Sequence, residues 1–538
     1  GFSATLTNEE HMALSRLQKG MIGLGAALVA VIIVGYAGMR YIENAVVETI
    51  RTWAAQTPPD ARVEVGDVSY KLMEGHLAVK DVRFAYAKAV QPPLTVAIEQ
   101  IDVLQPGETF FSVLRDPQTE VKETRLKVAE SVRLRGISMG PTPTVVMGER
   151  VISGIQMDAA ALKKLLAAVA SNDIPQAAIQ FSYGVSYESD VTKDISASVK
   201  GLPYAVTMKE SRQTGYAEGH LRSSTVTGTA FRMDDKLGNK DVLSIAEIAM
   251  ENMNLPPQDI TLKFIDPQWL EKTSVDGQAL EMMRLFSGPK PLLGSFVVRD
   301  LRVDTGLATV SLAKMTYING STSPFAADFS LEHLKMPTTL APELQTLSLM
   351  DLRDIDVSAT LSFSLPTADG AFNISSSLNV ADLGTADALF KGTLPQEVLK
   401  EAFLMGARSD SLEEEEHANQ LIQQNIRFSR LELGYADEGL LPRLSLLGQK
   451  LMGLAPQQSM LMVRQHIQQA LDLTPEDPDM QRINTFIAKP GAIRFIFSPE
   501  KPMSLKEIET LPENTPTITL DVTPGPQTLQ ELTNALAQ

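Results

Sequence analysis

From about Ala61 to Val380 apolar and polar residues alternate with a period of two, the repeat of a β-strand. The clearest run is Val357, Ala359, Leu361, Phe363 and Leu365. The next strand has Phe372, Ile374, Ser376, Leu378 and Val380. Ala368-Asp369-Gly370 lies between them, and Asp-Gly is a strong hairpin signal because both residues accept positive φ. Each strand offers one apolar face and one rich in Ser, Thr and Asn, the pattern of an antiparallel sheet buried on one side. Helical spacing interrupts the strands at 158–171 and at roughly 268–286. From about Thr393 it dominates, over 395–428 and 439–473, with breaks at Pro442, Pro456 and Pro475. Alternation returns at Ile493, Phe495 and Phe497 and at Ile518, Leu520 and Val522. Residues 528–537 read as a short terminal helix.

A weak repeat runs through the strands. Gly75 to Phe84 (GHLAVKDVRF) and Gly294 to Val303 (GSFVVRDLRV) both fit G-x-[LF]-x-V-[KR]-D-[VL]-R-[FV]. Shorter echoes occur at Met350 to Arg353, Glu251 to Leu255 and Leu134 to Ser138. Asn252, Asp300 and Asp351 are about 50 residues apart, which suggests stacked β-units. Their recurrence, like that of Asp81, predicts a turn or strand-end role. Chance likeness among apolar strands ending in Asp, Asn or Gly is the competing reading.

One segment stands outside this pattern. Gly20 to Met39 (GMIGLGAALVAVIIVGYAGM) carries no charge over 20 residues. As a helix it spans about 30 Å, the thickness of a bilayer's hydrocarbon core. Gly20, Leu24, Val29, Ile32, Ile33, Val34, Tyr36 and Met39 mark the anchor, with Arg16, Lys19, Arg40 and Trp53 at its interfaces. The run is longer than the apolar part of a cleavable signal peptide, and Gly38-Met39-Arg40 is a poor cleavage site, so it reads as an uncleaved signal anchor. Nearby cations divide evenly, Arg16 and Lys19 against Arg40 and Arg51. The closer pair on the short leading segment favours a cytoplasmic N-terminus. Tyr41 to Trp53 keeps helical spacing, either as an interfacial helix or as a plain stalk.

Composition narrows the function. Asp and Glu outnumber Lys and Arg 65 to 48, for a net charge of -17, which argues against a nucleic-acid surface. The chain has no cysteine, which excludes disulfides, cysteine metal sites and thiol catalysis. Gly136-Ile137-Ser138-Met139-Gly140 fits G-x-S-x-G, but Pro141-Thr142-Pro143 follows where a nucleophile elbow needs a helix. Ser311-Leu312-Ala313-Lys314 fits S-x-x-K within an alternating stretch, so it reads as strand. His11, His76, His220, His333, His417 and His466 form no H-x-x-x-H pair, and Glu413 to Glu416 before His417 read as a solvated charge run. No Walker loop or dinucleotide fingerprint occurs. The expectation is therefore a protein without catalysis, metal or cofactor.

Residues Val65 to Val82 (VGDVSYKLMEGHLAVKDV), following the anchor, resemble the start of AsmA-like proteins. The resemblance covers the anchor and roughly the first 100 residues. It implies a bacterial inner-membrane protein facing the periplasm and acting in envelope biogenesis, through lipid or outer-membrane-protein handling. It carries no binding residues over, and the helical stretch 395–473 departs from the family's long uniform β-grooves. The fold class is α+β: a single N-terminal transmembrane helix, then a β-rich antiparallel repeat-like domain with a helical insert towards the C-terminus. The expected segments are a cytoplasmic tail (1–19), the anchor (20–39), a juxtamembrane helix and linker (40–60), a β-rich region (61–392), a helical region (393–480) and C-terminal strands and tail (481–538). The expected partners are membrane lipid, a lipid ligand in a β-groove and other envelope proteins. A sheet with one apolar face can shelter acyl chains or simply form a core. The alternative function is a scaffold subunit of a membrane-associated assembly, with Leu451-Met452, Met460 to Met462 and Met282-Met283 as adaptable contacts.

Overall fold

The computed structural model describes residues 61–537 apart from short stretches, the longest of them 87–93 and 512–516. The anchor from Gly20 to Met39, its flanking Arg16, Lys19, Arg40 and Trp53, and the segment 41–53 lie outside the described residues. Among those described, no helix is long and apolar enough to cross a membrane. The chain divides into two compact units at Leu270/Glu271, inside the span expected to be one β-rich region.

The first unit is an antiparallel meander. Its strands are β1 (Ala61–Glu64), β2 (Val68–Lys71), β3 (His76–Tyr86), β4 (Leu94–Leu104), β5 (Arg125–Gly140), β6 (Thr144–Asp158), β7 (Val185–Ser198), β8 (Tyr204–Ala217), β9 (His220–Asp235) and β10 (Gly238–Asn254). From β3 to β10 each strand pairs with the next in sequence, while β1 and β2 both pair with β3. Helices Glu108–Arg115, Ala159–Ala170 and Ile174–Gly184 cover part of one face. Phe110, Phe111, Leu162 and Leu165 pack there with Leu77, Ile101, Val132 and Leu134. The second of these helices starts where expected because the Asp158 carboxylate accepts the Ala161 N–H at 2.7 Å.

The long strands obey a rule that plain alternation hides. On β3 the apolar positions are Leu77 and Val79, then Val82 and Phe84. On β5 they are Val132 and Leu134, then Ile137 and Met139. Each step from 79 to 82 and from 134 to 137 is three residues, which in a regular strand would send the second pair to the wrong face. A left-handed residue sits in each gap: Asp81 (φ 53°) and Gly136 (φ 59°), joined by Asp194 (φ 53°) on β7 and Gly228 (φ 62°) on β9. The registers place these residues on one line across the sheet. Lys80 and Val82 oppose Gln100 and Ile98, and those in turn oppose Arg135 and Ile137. A second line runs through Gly154, Gly215 and Asn252 on β6, β8 and β10 (φ 65°, 68° and 52°). Each line resets the phase, so one face stays apolar along the whole strand. Asp81, Asn252 and Asp300 therefore lie within strands and not at turns or strand ends. Asp, Asn and Gly recur there because they tolerate positive φ best.

The second unit repeats the design. Its strands are β11 (Leu293–Asp304), β12 (Thr309–Thr322), β13 (Phe325–Pro337), β14 (Asp354–Ser364), β15 (Ala371–Val380), β16 (Gly384–Thr393), β17 (Arg427–Asp437), β18 (Ala492–Phe497) and β19 (Ile518–Thr523), again paired in sequence order. Asp300 (φ 51°) and His333 (φ 53°) hold the phase-resetting positions on β11 and β13. The β14–β15 hairpin forms as read, with Val357 opposite Val380 and Phe363 opposite Ile374. Its connection spans 365–370, longer than a two-residue turn, with Gly370 at φ 83°. The expected helical region holds helices Gln396–Arg408, Leu412–Asn425, Leu440–Met452 and Pro456–Leu471, but β17 runs through its middle. Leu431, Leu433 and Tyr435 alternate there, over a run too short to stand out between helices. Pro478–Ala488 adds a helix before β18, and Leu529–Leu536 closes the chain with a capping box between Thr528 and Glu531.

Gly136→Val should lower stability by about 2 kcal/mol or more, measured as a urea midpoint. The left-handed backbone strains a β-branched residue, and a Cβ at this position lies 2.2 Å from the Glu99 side chain. Asp300→Gly, in the same conformation without a facing clash, should be neutral to stabilising.

Candidate functional site

Residues directly opposed in an antiparallel pair share a face, so the registers of the second unit define its two surfaces. On one surface Phe296, Tyr317, Phe329 and Leu361 stand in line from β11 to β14. The line continues through Ser376, Ala388, Leu433, Phe495 and Leu520 to β19. A neighbouring line on the same face runs through Met315, Leu331, Ala359, Leu378 and Ala386 to Tyr435. The surface is an apolar stripe crossing nine strands. Ser376, Ala386 and Ala388 make it low at β15 and β16, between Leu361 and Leu433, which are three strand spacings or roughly 14 Å apart.

Helices cover this stripe at one end. Leu441, Met480, Ile483, Phe486, Ile487 and Leu529 bury themselves against Tyr435, Ile493, Leu520 and Val522. Elsewhere it stays partly open: Leu433 is 52 % exposed, Leu378 46 % and Leu361 38 %, with Phe329 and Phe495 close behind. Large apolar side chains left contiguous and uncovered mark a surface that binds something. Covering it stabilises a complex by about 0.8 kcal/mol for each methylene buried.

The opposite surface is polar. Thr316, Ser330, Thr360, Ser377 and Asp387 share one line. Beside it Glu432, almost fully buried, accepts from Arg430 and from Arg494 at 3.1 Å, and Arg494 also reaches Asp387 at 3.1 Å. The hydrogen bond from Arg430, helped by Arg494, holds the Glu432 carboxyl below its ordinary range.

In the first unit the corresponding apolar line runs from Val96 and Met139 through Val145, Ala197 and Val206 to Phe231 and Leu243. Further along the strands the pattern is broken by a polar cluster. Arg150 donates twice to Asp190, at 3.0 and 2.6 Å, and the Tyr187 hydroxyl donates to Gln213 at 2.5 Å. Tyr187 stacks on Tyr216 at 5.1 Å. Burial pushes the Tyr216 hydroxyl up to about 12 and raises Tyr187 as well; Tyr187 ties two strands through Gln213, and Tyr216 donates to the Ser182 carbonyl in the helix Ile174–Gly184.

The chemical candidates of the sequence do not converge. Ser138 lies inside β5 between Ala97 and Val146, in extended strand with no elbow. Ser311 and Lys314 lie in the extended strand β12, on either side of the phase-resetting line, and Lys314 pairs with Glu332 at 3.1 Å. His76 meets Asp102 at 2.9 Å, His220 meets Asn254 at 2.9 Å and His333 meets Asp356 at 3.1 Å, three separate places. Glu413 to Glu416 and His417 fall in the helix Leu412–Asn425. Asp351 lies in a turn and pairs with Lys450. Among the described residues no group of three or more His, Asp or Glu stands close enough to hold a metal ion. Alternation predicted the apolar face, but whether that face is covered depends on helices far along the chain, which no local pattern reports.

A family model described as an uncharacterized protein matches residues 372–524, the stretch from β15 through β19. No curated protein and no solved structure matches the chain.

Two substitutions separate open from covered parts of the stripe. Leu433→Ala should cost less than about 1 kcal/mol, and Ile487→Ala, fully buried in the helical cap, about 2–5 kcal/mol. Glu432→Gln should flatten the acid limb of the stability curve. A depressed carboxyl contributes stability above its unfolded pKa, and that contribution is lost as pH falls through the folded value. Urea midpoints taken from pH 6 downward to about 3 should therefore fall more steeply in the parent chain than in the variant.

Proposed function

We propose that this chain is a membrane-anchored protein of the bacterial envelope, with its bulk in the periplasm, whose second unit shelters the aliphatic chains of lipids along its open apolar stripe. The observation that carries the reading is the partly exposed row of Leu and Phe side chains on β13 to β18, outside the part that the helical cap buries. The occupant suits the lining. The exposed part of the stripe offers almost no hydrogen-bonding side chain, so it rewards hydrocarbon and leaves a polar ligand unsatisfied. The low strip at Ser376, Ala386 and Ala388 gives a narrow chain room between Leu361 and Leu433. Two features support a position beside a bilayer. One is the uncharged run from Gly20 to Met39, with Arg16 and Lys19 favouring a cytoplasmic N-terminus. The other is the AsmA-like character of Val65 to Val82, whose family works on envelope lipids and outer-membrane proteins. Absorption of the stripe into a scaffold contact with another envelope protein is the alternative.

The test uses the full chain reconstituted in vesicles that contain a phospholipid with a photoreactive acyl chain. Crosslinked peptides should map to β12 to β17 as well as to 20–39. Leu361→Glu with Leu433→Glu should cut the yield at β12 to β17 roughly tenfold, because each buried charge opposes hydrocarbon strongly. Crosslinks confined to 20–39 would overturn the sheltering role, and crosslinks from the stripe to a protein partner would favour the scaffold.

A further inference from the structure

The helices Leu440–Met452 and Pro456–Leu471 form a hairpin joined by Gly453, Leu454 and Ala455, with Gly453 left-handed at φ 60°. The hairpin closes tightly, since a Cβ on Gly448 would lie 2.5 Å from the Ser459 hydroxyl. Its inner side is spent: Leu441, Leu444, Met460, Val463 and Ile467 pack into the helical cap described above. Its tip is not. Leu451 is 59 % exposed, Met452 63 %, Leu461 49 % and Met462 45 %. Leu451 and Met452 continue the inward-facing line of Leu441, Leu444 and Gly448 at helical spacing, but run past the end of what covers it. Leu461 and Met462 face outward on the second helix, next to the exposed His466.

Charge selects the partner. From Leu440 to Leu471 the sequence holds Arg443, Lys450 and Arg464 and no Asp or Glu, in a chain whose net charge is -17. Asp351, from outside the hairpin, pairs with Lys450. Arg443 donates to the carbonyls of Met350 at 2.7 Å and Asp382 at 3.3 Å, and it shares Asp351 with Lys450, so one acid faces two cations. An apolar tip on a segment with three cations and no acid of its own suits the interface of an anionic membrane. We propose that this hairpin tip docks on the surface of an anionic phospholipid bilayer, with Leu451, Met452, Leu461 and Met462 among the headgroups. A symmetric contact between two copies would instead bring like charges together. The inference stands on the hairpin alone and requires neither the anchor nor the lipid-sheltering stripe.

The chain has no cysteine, so Met462→Cys gives a single site for an environment-sensitive fluorophore, and Glu500→Cys gives a water-facing control. The labelled full chain is added to vesicles of phosphatidylcholine alone or mixed with phosphatidylglycerol. The Met462 probe should shift to the blue and be quenched by a lipid-borne quencher in the anionic vesicles. The effect should be much weaker in phosphatidylcholine and fade as ionic strength rises from about 0.05 to about 0.5 M. Leu451→Asp with Met452→Asp, both on exposed positions, should weaken the effect roughly tenfold. A Met462 probe as wet as the Glu500 probe in every vesicle overturns the proposal, even if the protein itself floats with the lipid through its anchor. So does equal insertion into both vesicle types, or shielding that depends on protein concentration without lipid, which would mark a second copy as the occupant.

Discussion

A β-strand sends alternate side chains to opposite faces, and everything in this protein depends on holding that phase over strands of up to 17 residues. A long strand that twists cannot keep one face apolar by counting in twos alone. Here the count is reset by residues in the left-handed region, set in lines across the sheet at Asp81, Gly136, Asp194 and Gly228. The three-residue steps Val79 to Val82, Leu134 to Ile137 and Val298 to Leu301 are the sequence form of that reset. With the phase kept, each unit owns an apolar face as wide as its sheet.

The two units treat that face differently. In the first, helices from two connections lay Phe110, Phe111, Leu162 and Leu165 on part of it and make a conventional core. In the second, the helical cap buries the β17 to β19 end and Ile355 and Phe372 are buried as well, while Leu361, Leu378 and Leu433 stay partly in water. An uncovered apolar face lowers solubility and invites aggregation, so a fold that retains one has a use for it. The polar reverse side, with the Glu432 network and its rows of Ser and Thr, prevents the sheet from being buried on both faces. The proposed function rests on this asymmetry.

Much of the architecture was legible in the residues. The hairpin at 357–380, the helix capped by Asp158, the returning strands at 492–497 and 518–523 and the terminal helix all lie where periodicity and capping chemistry put them. The recurrence of Asp and Asn was seen, but its meaning was not. A residue in the middle of a strand and one at its end look alike until the phase on both sides is compared. β17 is not legible in the sequence because three alternating residues between two helical segments carry little signal. The site was half legible: the apolar face is local information, and its exposure is set by helices from other parts of the chain.

Leu433 offers the most direct view of the central claim, because it is the most exposed large side chain of the stripe and sits at the edge of its low strip. A spin label at Leu433→Cys in the full chain reports contact with hydrocarbon as a rise in collisions with oxygen over collisions with a water-soluble relaxant. Sheltering of lipid chains predicts that this ratio rises severalfold when vesicles are supplied and returns when they are removed. A label that stays equally open to the water-soluble relaxant with and without lipid would contradict it.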